Sequence, residues 1–417
     1  MSPLTPRQAE ERLLSLELFG MRFGLDRMRR LMTALGHPER RFESIHVVGT
    51  NGKSSTTRMV AAILSHHGVR TGAYLSPHLV SYAERIRVAD RDLSPEDFAA
   101  AIERAWRAAE VVNRAAPGDD RVTQFELLTA AAYSELARHG VDVAVVEAGL
   151  GGRYDATNVI PSKVQVLTSV GLEHTRWLGP TVEAIAREKL DVVRPGGVLV
   201  LGPGMHPEAE TVATEVARER GARVVHASGD PGVPVAALGS FQRRNFSVAR
   251  TAAEAFLGAL DDEAVARAAA EVRVPGRLQV VGQEPLTLLD GAHNPDGIAA
   301  LIESLPEIAR GRPLVTVMSI LDDKDAAAML RALAPHCEAL VLTASHNPRA
   351  LPPPTLMSLA EQLGGPPAEV VREPSAALAR ARTLAGAHGV VVATGSIYLI
   401  ADLLAGEEAR GRRASTL

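Results

Sequence analysis

The chain has 417 residues, of which 46% are hydrophobic and 23% are charged, and its formal net charge is −4. This length exceeds one ordinary hydrophobic core, so two domains are expected. The balanced charge gives no basic field for nucleic acid or an anionic membrane, and we expect neither as a partner. The single cysteine, Cys337, excludes an internal disulfide and a cysteine-based zinc site, which suits a reducing compartment.

No apolar run reaches the length of a membrane-spanning helix before a charge interrupts it. The first residues, MSPLTPRQAEER, also lack the apolar segment of a secretory signal. The sequence therefore predicts neither export nor membrane insertion, and we expect a cytoplasmic protein.

Short apolar runs alternate with helical patterns along the chain, which predicts βαβ units around a largely parallel sheet. Residues 43–48 predict a strand, GTNGK a loop, and residues 54–67 a helix that ends at Gly68. A long helix is predicted to begin at SPED, residues 94–97, because a serine N-cap, a proline and two acidic residues occur together.

The alternation continues and then restarts after a Pro–Gly signal in VPGRLQ, which indicates an interdomain linker. Before the linker, further strands are predicted at 141–147, 164–170 and 197–202, and helices at 123–139, 181–193, 245–260 and 262–272. Beyond it, strands are predicted at 286–290, 314–318, 339–343 and 390–394. We therefore predict a larger N-terminal domain over residues 1–274 and a smaller α/β domain over residues 275–417.

The segment Gly49–Ser54, GTNGKS, follows the first predicted strand and opens a helix, which is the arrangement that cradles phosphate. Backbone N–H groups and the helix N-terminus would point at the anion, and Lys53 would add a positive charge. The strict phosphate-loop pattern has a glycine where this chain has Val47, so the match is to a variant. The alternative is a glycine-rich turn with a solvated lysine.

A series of sequence blocks, in order, resembles folylpolyglutamate synthase, a group of Mur ligases that includes bifunctional dihydrofolate synthases. The blocks are FGLDRMRRLMTALGHP, IHVVGTNGKSS, YLSPHLVSYAERIRV, VTQFELLTAAAY, VVEAGLGGRYDATNV, SVGLEHTRWLG, AIAREKL, FQRRN, VPGRL, LLDGAHNPDG, LDDKD and TGSIYLI. The resemblance implies a P-loop-type N-terminal domain that binds ATP and folate. It also implies a smaller, Rossmann-like C-terminal glutamate ligase domain.

The resemblance also implies a reaction. ATP phosphorylates a folate-type carboxylate, and the amine of L-glutamate attacks the acyl phosphate to form an amide. Such a site must screen the charge between anions, stabilise the transferring phosphoryl group and exclude water from the mixed anhydride. The expected substrates are ATP, L-glutamate and a folate or dihydropteroate, bound by a monomer with magnesium.

The metal site implied by the resemblance consists of Ser76, Glu147 and His174. Glu147 ends the apolar run VDVAVVE, and ligands of open α/β sheets bind at the carboxyl ends of strands. Oxygen ligands suit Mg²⁺, whereas the imidazole of His174 is unusual for it and suggests that Mn²⁺ could substitute. The alternatives are a surface carboxylate and a structural histidine.

Lys53, Lys189 and His174 are the catalytic residues that the resemblance implies. Lys189, in AIAREKL, matches a family lysine that carries a carbamate. Carbamylation needs the neutral amine, and hence a pKa lowered by burial or by a nearby positive charge. A helix-face lysine paired with an acid is the alternative, and the following residues LDV depart from the family's Ala-Gly-Ile.

Nucleotide contacts are implied for the phosphate loop and for residues of both domains. The positions are Gly49, Thr50, Asn51, Gly52, Lys53, Ser54, Ser55, Asn245, Arg277, Asp290 and His293. Ser54 stands where folate enzymes carry glycine, so Ser54 or Ser55 is expected to contact phosphate or metal. Asn245 is expected to contact adenine and Arg277 the phosphates. Asp290 and His293 should approach the ribose and phosphate, although DGAHNP also fits a simple turn.

Thr123, Phe125 and Asp155 match positions that line the family's pteroate pocket. Thr123 and Glu126 also fit a capping box, T-x-x-E, which would explain both structurally, and Phe125 would also suit a core position.

Three other functions are compatible with parts of the pattern. One is a Mur-type ligase with a different acceptor, although SPHL and VVEAGLGGRYDATN favour a folate enzyme. Another is a P-loop ATPase or switch without ligase activity, which would lack glutamate-dependent ATP turnover. The third is an inactive binding protein, which should have lost Lys53, Glu147, His174 or Lys189, and all four are present.

Overall fold

The computed structural model describes residues 4–16, 24–116 and 120–414, with side chains up to residue 406. These residues form two compact α/β units. Unit 1 comprises the chain up to Ala236 together with Arg244–Val272, and unit 2 comprises Ala237–Arg243 and the chain from Arg273 onward. The sequence predicted a single division after residue 274 and did not predict that residues 237–243 belong to unit 2. Residue 23, the first of the FGLDRM block, lies outside the described residues.

Unit 1 is built on an eight-stranded sheet. Its strands are β1 (Glu43–Val48), β2 (Thr71–Tyr74), β3 (Ile86–Val88), β4 (Arg91–Asp92), β5 (Val143–Glu147), β6 (Val164–Leu167), β7 (Val198–Leu201) and β8 (Arg223–His226). Their spatial order is β4-β3-β2-β5-β1-β6-β7-β8. The six strands from β2 to β8 in this order are parallel, and the β2–β3 and β3–β4 pairs are antiparallel. The mainly parallel sheet predicted for this part of the chain is confirmed.

Helices cover the sheet of unit 1. They are α1 (Pro6–Leu14), α2 (Asp26–Ala34), α3 (Lys53–His66), α4 (Pro95–Ala115), α5 (Gln124–Arg138), α6 (Thr175–Leu178), α7 (Val182–Leu190), α8 (Pro207–Arg220), α9 (Ser240–Leu257) and α10 (Asp262–Glu271). The first residues of α9, up to Arg243, belong to unit 2. Short 3₁₀ turns occupy Pro38–Arg40, Tyr82–Arg85 and Ala156–Val159. As predicted, α4 starts after Ser94, whose side chain accepts a hydrogen bond from the Asp97 N–H.

The central strands of unit 1 are apolar because both faces of the sheet are covered. All five residues of β5 are buried, and successive residues of a strand point to opposite faces. One core cluster joins Met28 of α2 and Ile102 of α4 to Val146 of β5. Another joins Ile185 of α7 to Leu167 of β6.

Unit 2 has a six-stranded sheet. Its strands are β9 (Gln279–Gln283), β10 (Leu286–Leu289), β11 (Leu314–Met318), β12 (Ala339–Leu342), β13 (Ala368–Val370) and β14 (Val390–Thr394). The order is β13-β12-β11-β14-β10-β9, parallel except for the β9–β10 hairpin. The helices are α11 (Pro295–Ala309), α12 (Ala326–Leu333), α13 (Pro353–Gln362), α14 (Pro374–Ala385) and α15 (Ile397–Ala414), with a 3₁₀ turn at Ala334–His336.

The sequence analysis did not predict the strands β2, β3, β4, β8, β9 and β13. These strands have two to five residues and contain polar, charged or glycine positions, as in TGAY and QVVGQ. They gain their conformation by pairing with a neighbour, which a local pattern does not report. Within the described part of the chain, no helix is both long and apolar enough to cross a membrane.

Candidate active site

The phosphate loop of unit 1 connects β1 to α3 and has the backbone of an anion cradle. Gly52, directly before α3, has a φ of 84°, and Gly49 has a φ of 152°. A Cβ atom at Gly49 would clash with the Thr168 hydroxyl, so a larger residue cannot replace this glycine without displacing Thr168, which directly follows β6. The first turn of α3 therefore begins at Lys53 with its N–H groups directed out of the loop.

Polar residues at the carboxyl end of β6 hold the phosphate loop in place. The Thr168 hydroxyl donates to the Asn51 carbonyl at 2.7 Å, and the Asn51 N–H donates to the Ser169 hydroxyl at 2.9 Å. The Thr50 N–H donates to the Ser169 carbonyl at 2.8 Å. The sequence analysis missed Thr168 and Ser169. Their signal was a polar pair directly after the apolar run VQVL, at the end of a parallel strand.

Lys53 folds back over its own loop. Its Nζ donates to the carbonyls of Gly49 at 3.1 Å and Thr50 at 3.0 Å. The ammonium group is therefore held beside the loop, where a phosphate group would meet it together with the N–H groups of α3.

Glu147 is a buried carboxylate at the end of β5, next to β1, and only 1% of it is exposed. Its Oε1 accepts a hydrogen bond from the Ser54 hydroxyl at 2.8 Å, and its Oε2 accepts one from the Ser76 N–H at 3.1 Å. The structure thus brings together Glu147, Ser54 and Ser76, which come from three separate sequence motifs. It also distinguishes the two candidate serines, because Ser54 reaches the carboxylate while Ser55 is buried in α3.

The proposed metal ligands are an oxygen-rich set. Among the described residues, no three side chains of the His, Cys, Asp and Glu types cluster as a preformed metal cage. Mg²⁺ does not require such a cage, since it keeps several waters and binds through one or two carboxylates and substrate phosphates. The Glu147 carboxylate beside the Ser54 hydroxyl and the phosphate loop fits that mode of binding. His174 precedes α6 with a φ of 53°, in the loop that follows the carboxyl end of β6.

Lys189 lies in the last turn of α7 and is buried, with 4% exposed. Its Nζ donates to the Gly49 carbonyl at 2.8 Å, the same oxygen that accepts from Lys53. Burial, and then the positive charge of Lys53, lowers the pKa of Lys189 to about 7, although Glu173 and Asp155 oppose this shift. A substantial fraction of this amine is therefore neutral near neutral pH.

The three residues predicted to line a pteroate pocket lie in two places. Thr123 caps α5 and forms the capping box with Glu126 that the sequence also allowed. The Phe125 ring lies against Gly149, where a Cβ atom would be 2.5 Å from its Cζ. Asp155 is buried, and its Oδ2 accepts from the Leu150 N–H at 2.7 Å. Phe125 and Asp155 thus contact adjacent residues, Gly149 and Leu150, of the same glycine loop, AGLGG.

Asn245 of α9 lies beside the phosphate loop within unit 1. A Cβ atom at Gly52 would be 2.6 Å from the Asn245 Oδ1. Glycine is therefore required at position 52 both by the positive φ and by this close contact.

Arg277, Asp290 and His293 come together within unit 2 at the carboxyl end of β10. Asp290 is buried, and its two oxygens accept from the N–H groups of Leu278 and Ala292, each at 2.9 Å. The His293 Nδ1 lies 2.9 Å from the Gly291 carbonyl, and a Cβ atom at Gly291 would meet the Arg277 guanidinium at 2.7 Å. Burial raises the pKa of Asp290, and Arg277, the two amides and His293 oppose the rise.

The chain is similar to folate ligases in sequence and in structure. Residues 276–397 match the family described as Mur ligase, glutamate ligase domain. The dihydrofolate synthase/folylpolyglutamate synthase of Mycobacterium tuberculosis is 36% identical over 381 residues, covering 82% of this chain and 78% of that protein.

Two solved structures extend the similarity to nearly the whole chain. The Mycobacterium tuberculosis folylpolyglutamate synthase complexed with ADP has a TM-score of 0.89 and 32% identity, covering 96% of this chain and 97% of that one. The bifunctional folylpolyglutamate synthase/dihydrofolate synthase of Yersinia pestis, complexed with AMPPNP and a Mn ion, has a TM-score of 0.84 and 30% identity over 98% of both chains.

Proposed function

Because the chain belongs to the dihydrofolate synthase/folylpolyglutamate synthase family of Mur ligases, we propose that it joins L-glutamate to a folate carboxylate with ATP and Mg²⁺. The observation that carries the proposal is the arrangement around Gly49. The side-chain nitrogens of Lys53 and Lys189 both donate to its carbonyl, and Glu147 is held beside the same loop by Ser54. A phosphate-binding loop with its lysine, and a serine and a carboxylate able to hold Mg²⁺, are parts that phosphoryl transfer needs.

The loop residues bind and orient ATP in this proposal. Gly49–Ser55 surround the phosphates with N–H groups, and Lys53 turns from the carbonyls of its own loop toward the phosphoryl group. Asn245, beside Gly52, contacts the adenine. Arg277, Asp290 and His293, which lie together within unit 2, are proposed as further nucleotide-contacting residues.

Glu147 and the Ser54 hydroxyl are the groups of this chain that would hold magnesium, with Ser76 and His174 as further ligands. The bound cation supplies positive charge to the transferring phosphoryl group, and Mn²⁺ is expected to substitute for it. A manganese ion accompanies AMPPNP in the Yersinia pestis structure.

We propose that Lys189 reacts with carbon dioxide. Its neutral amine nitrogen forms a bond to the carbon of CO₂ and releases one proton to solvent, which leaves a carbamate anion. The lowered pKa supplies the neutral amine, and the buried position beside Gly49 keeps the new anion close to the phosphate loop. Lys189 thereby changes from a cation to an anion at a site that lacks a second buried carboxylate ligand among the proposed metal-binding residues.

The folate is expected to meet the glycine loop AGLGG, where Phe125 and Asp155 converge. Thr123 is kept as a third member of this pocket, although its capping box already accounts for its hydroxyl. A second activity, addition of L-glutamate to dihydropteroate, is favoured because the Mycobacterium tuberculosis relative is named for both activities.

The test is a ligation assay with purified protein, ATP, Mg²⁺, L-glutamate and either tetrahydrofolate or dihydropteroate. The expected result is glutamate-dependent ADP release and products heavier by whole glutamyl units, read by mass spectrometry. ATP turnover that does not depend on glutamate would instead indicate a nucleotide-binding ATPase. Ligation only with an acceptor other than a folate would indicate a different Mur-type ligase.

We further propose that the chain acts on these small molecules as a monomer in the cytoplasm, without nucleic acid or membrane partners. The net charge of −4 supports this proposal because it offers no general attraction to polyanions. Light scattering after size exclusion should return the mass of one chain. The mass of two chains would contradict the monomer.

A further inference from the structure

Unit 1 contains a cavity of about 370 Å³ that the proposed reaction does not use. The charged side chains that line it are Arg29, Arg153, Arg194, Arg220, Asp26 and Asp191. Four positive and two negative charges leave a net charge of +2, in a chain whose formal net charge is −4. The volume lies in the range of roughly 300–1,000 Å³ that is typical of small-ligand sites. We call it the arginine cavity.

The carboxylates near the arginine cavity occupy part of its guanidinium donors, and the shortest pairing joins Arg29 to Asp26 at 3.1 Å. Arg153 lies 3.6 Å from the nearest oxygen of Glu188 and 3.8 Å from that of Asp191, both longer than hydrogen bonds. Arg220 approaches Asp191 at 3.4 Å. The side chains of Arg153 and Arg220 are 41% and 40% exposed, and each guanidinium carries five N–H donors.

Arg194 shows that the positive charges of this cavity act on one another. Its guanidinium donates to the carbonyls of Asn158 and Ile160 at 2.7 and 3.0 Å, which fixes its position. Burial lowers the pKa of Arg194, Asp191 opposes this, and the charges of Arg220 and Arg29 lower it further. A bound anion would offset this repulsion.

The segment that follows the glycine loop connects the arginine cavity to the proposed active site. The Arg153 N–H donates to the Glu188 carbonyl at 3.0 Å. A Cβ atom at Gly152 would lie 2.4 Å from the Lys189 carbonyl, so the two backbones are in direct contact. Arg153 therefore projects into the cavity from a segment whose other side packs against the backbone of the proposed carbamate lysine.

We propose that the arginine cavity binds the γ-glutamyl tail of a folate polyglutamate, an inference that rests on the proposed function because such tails are its products. A γ-glutamyl chain carries one α-carboxylate on every unit and one terminal γ-carboxylate. Guanidinium forks match carboxylates with paired hydrogen bonds, and several arginines suit several carboxylates. The tail is thereby held against the segment that packs on Lys189, so that product length is sensed beside the active site.

The test is calorimetric titration of the full chain with tri-γ-L-glutamate in the absence of ATP. The cavity variant is Arg29→Gln with Arg220→Gln, and the matched control is Arg30→Gln with Arg218→Gln. Both control positions are exposed neighbours on α2 and α8 that do not line the cavity, and both double variants change the net charge equally. The cavity variant should bind the tripeptide at least about tenfold more weakly, and the control should bind as the wild type does.

Inorganic phosphate is titrated in parallel, because it presents anionic oxygens to the same guanidinium groups. Phosphate that binds as tightly as the tripeptide would overturn the tail assignment, and so would equal losses in the two double variants. Wild-type protein that ligates normally but does not bind the tripeptide would overturn this inference alone. Tripeptide binding without any ligation would overturn the proposed function and leave the anion site in place.

Discussion

Lys189 in unit 1 and Asp290 in unit 2 are both buried ionisable groups beside a glycine loop at a strand end, but their surroundings differ. Lys189 has one described hydrogen-bond acceptor, the Gly49 carbonyl, and shares it with the positive charge of Lys53. Asp290 has an N–H donor on each oxygen and lies near Arg277. These contacts partly offset the burial that raises the pKa of Asp290, whereas at Lys189 the nearby charge of Lys53 adds to the effect of burial.

This contrast separates groups that are ready to react from groups that hold the structure. A buried group whose burial is reinforced by a nearby like charge, as at Lys189, is a candidate for chemistry. A buried charge whose hydrogen bonds are all made to its own backbone stabilises a loop, here by joining Leu278 to Ala292 across the end of β10. Substitution of Lys53 or Lys189 should therefore affect mainly the reaction, and substitution of Asp290 should affect mainly stability.

The largest effect is expected from Lys53→Ala. The substitution removes a charge directed at phosphate while leaving the loop glycines intact, so kcat for ligation should fall by at least about 10²-fold. Urea denaturation should show an unchanged free energy of unfolding, because the side chain contacts only carbonyls of its own loop. Lys163→Ala is the control, since Lys163 pairs with exposed Glu43 at the other end of the sheet. Near-normal turnover of folded Lys53→Ala would remove Lys53 from the site.

The next largest loss of activity is expected from substitutions that prevent Lys189 from forming the proposed carbamate. Lys189→Ala should lose most activity, and Lys189→Glu should recover part of it by restoring an anion. The wild-type rate should fall as the pH falls below about 7, because the amine becomes protonated and no longer reacts with carbon dioxide. Removing bicarbonate should slow the wild type and leave Lys189→Glu unchanged.

A direct measurement accompanies the rates. Protein incubated with ¹³C-bicarbonate should show a carbamate carbon resonance that is missing in Lys189→Ala. An equal response of wild type and Lys189→Glu to bicarbonate, without that resonance, would return Lys189 to the role of a structural cation.

A smaller loss of activity, which depends on the Mg²⁺ concentration, is expected from Glu147→Gln. The amide oxygen can still accept from the Ser76 N–H while its NH₂ group donates to the Ser54 hydroxyl, but the amide binds a cation far more weakly than the carboxylate does. The Mg²⁺ concentration for half-maximal activity should rise by roughly tenfold, and saturating Mg²⁺ should restore much of the rate. Glu43→Gln, at the exposed start of β1, is the matched control. An unchanged Mg²⁺ dependence would show that Glu147 is not a ligand.

The sequence alone predicted the parts of this molecule that depend on local pattern. The apolar runs of β1, β11 and β14 were placed with the observed bounds, and the Ser94 cap of α4 was recognised from four residues. The two-unit α/β architecture followed from the alternation of strands and helices together with the family resemblance. In each case the signal lies within one element or between neighbouring elements.

The contacts that build the candidate site could not be predicted in this way. Lys189 meets Gly49 across 140 positions of sequence, and Glu147 meets Ser54 across 93. These contacts follow from the strand order β5-β1-β6, which brings three carboxyl ends to one edge of the sheet. The resemblance supplied candidate residues, but only the fold shows that Thr168 positions their loop.

The smallest effect on activity is expected from Asp290→Asn, which tests the other half of the comparison. An asparagine offers one acceptor oxygen, so its NH₂ group would face the N–H of either Leu278 or Ala292 and leave a buried donor without a partner. The free energy of unfolding should fall by about 1–3 kcal/mol, while kcat should fall far less than in Lys53→Ala. Hydrogen exchange should quicken at the Leu278 and Ala292 amides, and Asp296→Asn, on the exposed first turn of α11, should leave both unchanged.

If Asp290→Asn instead kept its stability and lost ligation as completely as Lys53→Ala, Asp290 would be a nucleotide-contacting group first and a loop anchor second. The two units would then both carry chemistry at their buried charges.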